Sequence, residues 1–252
     1  MKNDFLWRVE NACWTAWPSS EDKMIDGWLC RASGGETKRT NSANATLESC
    51  SIRDVVGPVA KFYAGRDQPL LFRTLSFMPK VEGELAAKGF QPEGENRTLQ
   101  AGLEGFTCLP RTDVESYSKP SMDWISDKMR LTPMGPEQQQ VYRTMLDRLS
   151  VPATFVRIVR EGQGVAVAYG AIVAGILIVE SVVTDIAHRG QGLGQDLVGT
   201  LMVWGRAQGA RTCCLQVIAD NGPALSLYRK LGFQTELYRY RYWRAPEATI
   251  KT

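Results

Sequence analysis

The sequence of 252 residues predicts an α/β fold that is built twice along the chain. Residues 136–243 alternate between runs rich in β-branched residues and runs with helical spacing of apolar residues, a pattern typical of α/β proteins. Residues 26–103 repeat the same order of elements. The C-terminal half alone contains a glycine-rich block, Arg189-Gly-Gln-Gly-Leu-Gly194, directly after the apolar run 174–183. We therefore predict a functional C-terminal unit and a degenerate N-terminal copy.

Each element of the C-terminal half has a local signal. Helix 193–207 carries Leu197 and Leu201 at helical spacing. Strand 176–184 lacks clean alternation, as expected for a central strand that is covered on both faces. The other elements predicted here are the helices 136–149 and 222–231 and the strands 154–159, 165–173, 211–218 and 234–243.

The N-terminal half shows the same succession. A helix at 79–88 ends in Leu85-Ala-Ala-Lys-Gly89-Phe90, which is similar to Tyr228-Arg-Lys-Leu-Gly232-Phe233. Aligning the two Gly-Phe pairs puts Leu85 at the position of Tyr228 and Met78 at that of Asn221, so the polar landmarks are missing. An unrelated α+β extension is the alternative, because glycine commonly follows a helix. The other elements predicted here are a strand and turn at 26–34, the strands 70–75 and 96–103 and the helix 51–63.

Composition limits the classes of function. A net charge of +3, dispersed along the chain, does not indicate a nucleic-acid partner. No apolar run is long enough to span a membrane and the first residues lack a signal-peptide pattern, so we expect a cytoplasmic protein without a membrane partner. The six cysteines form no C-x-x-C pair and His188 is the single histidine, so we expect no metal.

The glycine-rich block and a second motif, Asn221-Gly-Pro-Ala-Leu-Ser-Leu-Tyr228, predict the kind of ligand. Backbone N–H groups at the start of a helix lack intrahelical partners, and the helix dipole there favours an anion such as a pyrophosphate. Asn221 and Tyr228 are seven residues apart and so lie on one helix face. A Rossmann fingerprint, G-x-G-x-x-G, does not fit because Gly190, Gly192 and Gly194 alternate.

In this order and at this spacing, the two motifs resemble the signatures of the GCN5-related N-acetyltransferase (GNAT) family, Gln/Arg-x-x-Gly-x-Gly/Ala and Asn-x-x-Ala-x-x-x-Tyr. The resemblance covers about residues 150–243. It implies a GNAT fold, with a mixed, mostly antiparallel sheet flanked by helices. It also implies an acyltransferase that moves an acetyl group from acetyl-CoA, the donor substrate, to a primary amine by direct attack in a ternary complex.

The resemblance also implies roles for individual residues. Tyr228 falls at the general-acid position, and a phenol suits this role because it stays protonated at neutral pH. Asn221 would bind the pantetheine arm, although an N-cap gives it an equally good structural reason. The residues implied in binding acetyl-CoA are Val182, Val183, Thr184, Arg189, Gly190, Gln191, Gly192, Leu193, Gly194, Gln195 and Asn221.

The general base is less well defined. Glu180 is our candidate, because a lone carboxylate in an apolar strand is costly to bury without a purpose or partner. The alternative is a structural Glu paired with an arginine. Some members of the family that acetylate protein N-termini carry a Glu where this chain has Gln216, which cannot take a proton. We expect His188 to lie too far from the acetyl group, and Cys213 and Cys214 to be core residues.

From these observations we predict a GNAT-like N-terminal domain at 1–108, a linker or acceptor-site segment at 109–135, and a catalytic GNAT domain at 136–252. The alternatives are a catalytically silent CoA-binding regulatory protein, or transfer of a longer acyl group with Ile178, Glu180 and Trp204 limiting the depth. The acceptor is open among small amines, amino acids, antibiotics and peptide N-termini. The chain is expected to be a monomer or a homodimer.

Overall fold

The computed structural model describes residues 3–35, 37–109 and 111–246. The α-helices in these residues are α1 (Asp4–Ala16), α2 (Val56–Ala64), α3 (Pro79–Ala87), α4 (Met122–Leu131), α5 (Pro136–Asp147), α6 (Leu193–Ala207) and α7 (Gly222–Lys230). The strands are β1 (Glu21–Ile25), β2 (Trp28–Ala32), β3 (Ser42–Ala45), β4 (Leu71–Leu75), β5 (Gln91–Gly102), β6 (Val114–Tyr117), β7 (Ala153–Arg160), β8 (Gln163–Val173), β9 (Ile176–Thr184), β10 (Thr212–Ile218) and β11 (Thr235–Arg244). No helix in the described ranges is both long and apolar enough to cross a bilayer.

These strands form one sheet in the order β1-β2-β3-β4-β11-β5-β10-β9-β8-β7-β6. The pairs β3–β4 and β9–β10 are parallel, and the other neighbouring strands are antiparallel. Each parallel pair is connected through one helix, α2 or α6, because a parallel connection has to cross over the sheet. The predicted mixed, mostly antiparallel sheet flanked by helices is therefore confirmed.

The fold is duplicated. The succession α1-β1-β2-β3-α2-β4-α3-β5 in the first half matches α5-β7-β8-β9-α6-β10-α7-β11 in the second. The helices α3 and α7 end alike: the amide of Phe90 donates to Leu85 and that of Phe233 donates to Tyr228, both over 3.1 Å. The glycine before each phenylalanine has a positive φ, a conformation typical of a helix C-terminus. The alignment of Leu85 with Tyr228 thus holds in three dimensions.

The two halves exchange their last strands. β5 comes from the N-terminal half but lies between β10 and β11, where Leu99 is opposite Leu215. β11 comes from the C-terminal half but lies between β5 and β4, where Tyr240 is opposite Leu75. Nothing in the sequence predicted this exchange. As a consequence, the sheet runs without interruption through the segments 1–108 and 136–252.

The helices cover the sheet on two faces. On one face α1 packs on β8 and β9 of the other half, and the Tyr169 hydroxyl donates to the carbonyl of Ala16 over 2.7 Å. On the other face α6 packs on β7, β8 and β9. The approach of α6 depends on glycine, because a Cβ on Gly205 would lie 2.7 Å from Cδ2 of Leu177. Strand β9 therefore lies between α1 of the N-terminal half on one face and α6 of its own half on the other.

Several elements differ from the prediction. The strands β1, β3 and β6 and the helices α1 and α4 were not predicted, and α2 begins at Val56 rather than at Ser51. Residues 109–135 contain β6, which pairs with β7, and α4, which packs on β8. Within α4, the buried Trp124 donates its indole N–H toward the carbonyls of Val156 and Ala168. These contacts tie the segment to the sheet of the C-terminal half.

The strand exchange gives a test of how the halves depend on each other. Residues 109–252 alone would leave the edge of β10 unpaired, and an exposed edge strand favours aggregation. We expect this fragment to show no cooperative thermal unfolding by calorimetry. Coexpressed with a separate chain of residues 1–108, it should form a 1:1 complex on size-exclusion chromatography. A monomeric, cooperatively unfolding 109–252 fragment would contradict the exchange.

Candidate active site

The strands β9 and β10 part in the middle of the sheet. Their parallel pairing runs from Ile176 and Thr212 to Val179 and Leu215 and then ends. Beyond this point β10 pairs with β5 and β9 pairs with β8. A β-bulge accompanies the separation, with Ser181 at a φ of 58°. A cleft therefore opens at the C-terminal ends of two parallel strands.

The predicted pantetheine-binding residues of β9 lie beyond the point where its pairing with β10 ends. Val182, Val183 and Thr184 are half-buried, whereas residues 176–180 of β9 are buried. Val183 and Thr184 pair with β8 on one side and have no strand partner on the side of β10. Their backbone edge toward β10 can therefore accept an extended ligand in the manner of an added strand.

The glycine-rich block forms an open turn at the start of α6. Gly190 and Gly192 have φ values of 80° and 79°, and a Cβ at either position would meet nothing within 4 Å. Glycine is thus needed there for the backbone conformation, and the space beside the turn is free. Gly192 is the N-cap of α6, so the amides of Leu193, Gly194 and Gln195 have no intrahelical partners. The turn fits an anion such as a pyrophosphate.

Gly194 has a different function in the packing. A Cβ at this position would lie 2.7 Å from Cδ1 of Leu227 and 3.7 Å from Oγ1 of Thr184. Glycine therefore lets α6 approach both α7 and the end of β9. Arg189 and Gln191 are exposed beside the same turn.

Tyr228 lies on α7 and is 8% exposed. Its ring contacts Phe233 edge to face, with ring centroids 5.7 Å apart. Burial, and secondarily the charge of Glu180, raise the pKa of the Tyr228 phenol well above its ordinary value. Tyr228 therefore carries a protonated hydroxyl at neutral pH, which can donate a hydrogen bond.

Asn221 caps α7. Its side-chain oxygen accepts from the amide of Ala224 over 3.2 Å, and the residue is exposed. This is the structural reason for Asn that the sequence allowed. Asn221 lies between β10 and α7, directly before the helix that carries Tyr228.

Glu180 is buried at the bulge and is held by an arginine from the other half of the chain. Its two carboxylate oxygens accept from Nη1 and Nη2 of Arg39 over 2.8 and 2.6 Å. Arg39 also donates to Oε1 of Gln216 over 3.3 Å and lies over the Trp17 ring at 4.6 Å. The pair corresponds to the arginine-bound alternative for Glu180. The general-base role stays a prediction.

Arg39 and Trp17 are the residues of this region that the sequence analysis did not identify. Arg39 is 141 residues from Glu180, and no local pattern connects them. The one signal was energetic, because a carboxylate in an apolar strand requires a partner. That requirement indicated an arginine without indicating which one.

The corresponding loop of the N-terminal half is different. Between β3 and α2, the amide of Ile52 and the hydroxyl of Ser51 donate to Oε2 of Glu84 over 3.0 and 2.8 Å. The hydrogen bond from Ile52 lowers the pKa of Glu84, so the carboxylate is ionised. An internal anion thus accepts the donors of this loop, and Leu85 replaces the tyrosine.

Other residues that the sequence analysis considered have different surroundings. Nδ1 of His188 is buried without a hydrogen bond and lies 3.8 Å from Oδ1 of Asp185. Cys213 and Cys214 are buried on opposite faces of β10, and desolvation raises the pKa of both thiols. Ile178 and Trp204 belong to opposite faces of the sheet, so they do not form one floor of a pocket.

The chain is similar in sequence to a family and a protein that are described as acetyltransferases. The family model described as "Probable histone acetyltransferase Rv0428c C-terminal" matches residues 6–243. The uncharacterized N-acetyltransferase YobR of Bacillus subtilis (strain 168) is 27% identical over 237 residues, which are 91% of this chain and 95% of YobR.

Two solved structures show the same fold. A GCN5-related N-acetyltransferase from Kribbella flavida aligns with a TM-score of 0.70 at 18% identity over 95% of each chain. A tandem GNAT protein from the clavulanic acid biosynthesis pathway aligns with a TM-score of 0.65 at 14% identity, over 81% of this chain and 75% of that one. The second similarity matches the duplication described above.

The contact between Arg39 and Glu180 gives a stability test. Arg39→Met leaves a buried carboxylate without its counterion, so we expect the free energy of unfolding to fall by about 3 kcal/mol in urea titrations. The double variant Arg39→Met with Glu180→Leu should recover most of this loss. The exposed Arg53→Met serves as the control and should change stability by less than about 0.5 kcal/mol. Equal stability of Arg39→Met and the wild type would rule out the pair as a structural link.

Proposed function

We propose the reaction of this chain from its family, because it belongs to the GCN5-related N-acetyltransferases and matches the Rv0428c C-terminal model over residues 6–243. It is an acyl-CoA-dependent acetyltransferase of the GNAT type. We propose that it transfers an acetyl group from acetyl-CoA to a primary amine by direct attack in a ternary complex. The parting of β9 and β10 beside the open glycine turn carries this proposal.

The donor would be held by backbone groups. The free amides at the start of α6 fit its pyrophosphate, and the unpaired edge of Val182, Val183 and Thr184 fits the amides of its pantetheine arm. Such contacts explain why the side chains of Val182 and Val183 need only be small and apolar. The bound donor supplies the thioester carbonyl that an amine attacks.

Tyr228 is proposed as the general acid. Expulsion of a thiolate is faster when a positioned group donates a proton to it. Tyr228 is protonated at neutral pH, because burial raises the pKa of its phenol well above the ordinary value.

Glu180 is proposed to receive the proton of the acceptor amine. Arg39 occupies one acceptor position on each carboxylate oxygen. Each oxygen has a further lone pair. An ammonium group that enters the cleft can therefore donate to Glu180, and loss of its proton leaves the neutral amine that attacks.

One donor site per chain is proposed. The N-terminal loop that corresponds to the glycine turn already holds the carboxylate of Glu84, and its backbone lacks the two glycines with positive φ. A pyrophosphate there would meet a fixed negative charge. The N-terminal half instead contributes Arg39 and the strand β5 to the C-terminal site.

Removal of the phenol tests the general acid. Tyr228→Phe keeps the ring contact with Phe233, so we expect kcat to fall by about 100-fold or more while the Kd for acetyl-CoA stays within about 3-fold. The measurement combines steady-state kinetics with calorimetric titration of acetyl-CoA. Tyr63→Phe, which removes a buried hydroxyl of the N-terminal half, is the matched control. Unchanged turnover in Tyr228→Phe would exclude the role.

Replacement of a turn glycine tests the anion site. Gly192→Ala forces a residue with a side chain into the left-handed region, which costs about 1–2 kcal/mol, and directs a methyl group into the open space. We expect the Kd for acetyl-CoA to rise by at least about 10-fold. Gly209→Ala carries the same backbone strain at the far end of α6 and should leave the Kd unchanged. Equal effects of the two variants on the Kd would place the ligand elsewhere.

A further inference from the structure

A cavity of about 310 Å³ lies between the two halves of the chain. Trp17, Thr37 and Thr40 line it from the N-terminal half, and Lys128 and Tyr142 line it from α4 and α5. The rest of the wall includes the apolar side chains of Met134, Val141 and Met145. The volume is at the small end of the range for ligand pockets, about 300–1,000 Å³.

The cavity adjoins the proposed reaction centre. Tyr142 is hydrogen-bonded to Ser181 of the β9 bulge, with their oxygens 2.7 Å apart. Trp17 packs against Arg39, which holds Glu180. The cavity and the carboxylate therefore lie on the same face of the sheet, one side-chain layer apart.

Two polar groups of the cavity lack suitable partners. Lys128 is 7% exposed, its Nζ donates to Oγ1 of Thr132 over 2.8 Å, and it faces the Tyr142 ring at 5.6 Å. No carboxylate of residues 3–35, 37–109 or 111–246 lies within ion-pair distance of this ammonium. Thr40 is 1% exposed, and its buried Oγ1 has no hydrogen-bond partner among the described residues.

The surroundings of Lys128 are those of a buried cation without a counterion. Burial lowers the pKa of Lys128 to about 8, and the charge of Glu180 acts in the opposite direction. A buried ammonium without a counterion is unfavourable, and a ligand carboxylate would relieve this cost. The hydroxyl of Thr40 can donate a hydrogen bond to an anionic or polar ligand group.

From this arrangement we propose that the cavity selects the acceptor: a small primary amine with an apolar or aromatic body and a free carboxylate that pairs with Lys128. The proposal rests on the proposed acetyl transfer. The aromatic and aliphatic wall would bury the body of such an acceptor, and its amine would extend toward Glu180. Free apolar amino acids have this chemistry. A peptide N-terminus does not, because its first carboxyl group is converted into an amide.

The test compares acceptors that differ only in the carboxylate. L-Phenylalanine, L-phenylalaninamide and phenethylamine form one set, and L-leucine, L-leucinamide and isoamylamine form a second. We expect kcat/KM to be at least about 10-fold higher for the acid than for the amide or the decarboxylated amine in at least one set. In Lys128→Met this preference should fall to near one, whereas the exposed Lys119→Met should retain it. A preference that is absent from the wild type, or retained in Lys128→Met, would overturn the proposal.

A second measurement separates failure of this proposal from failure of the acetyl transfer. The acids 3-phenylpropionate and 4-methylpentanoate carry the body and the carboxylate but no amine, so their binding requires no turnover. We expect calorimetric titration to show that one of them binds to the wild type and that binding weakens at least about 10-fold in Lys128→Met. Binding without acetylation of any amine would support the pocket and count against the reaction. Turnover of amines, with neither acid bound, would retain the reaction and reject the carboxylate-binding pocket.

Discussion

The antiparallel pairing of β5 with β11 joins the two halves of the chain, and the site depends on it. Each of these strands belongs in sequence to one half and completes the sheet of the other. The pairing fixes the N-terminal half against the C-terminal half, which places α1 over β8 and β9 and brings Arg39 to Glu180. A second buried ion pair, between Arg73 and Glu10, lies beneath the ring of Tyr240 on β11. Charged groups of one half are thus enclosed by strands of the other.

The cleft combines two kinds of environment within a short distance. At the start of α6 the backbone supplies hydrogen-bond donors that have no intrahelical partners, which suits an anion. At the bulge of β9 a carboxylate and a guanidinium are fixed by each other. The two regions meet where β9 and β10 part, because the sheet no longer uses the backbone groups of β9 on that side. An enzyme that joins an anionic donor to an amine acceptor requires both environments side by side.

Local patterns in the sequence predicted local structure well. The bounds of β9 and α6 follow directly from an apolar run, a glycine-rich turn and helical spacing, since each signal lies within the element itself. The alignment of Leu85 with Tyr228 also holds, because both helices end in the same backbone conformation. The strand exchange could not be predicted from local patterns, because the alternation of side chains along β5 would be the same whichever strand lay beside it. Arg39 was missed for a related reason: its contact depends on the exchange, and the sequence around it resembles any solvated basic turn.

The central claim is that the chain has one donor site, in the C-terminal half, while the N-terminal copy serves as structure. Calorimetric titration with acetyl-CoA, with free CoA and NADH as comparators, tests it most directly. We predict one site per chain for acetyl-CoA and no binding of NADH. Two sites per chain would contradict the degenerate N-terminal copy, and the absence of acetyl-CoA binding would contradict the account of the cleft itself.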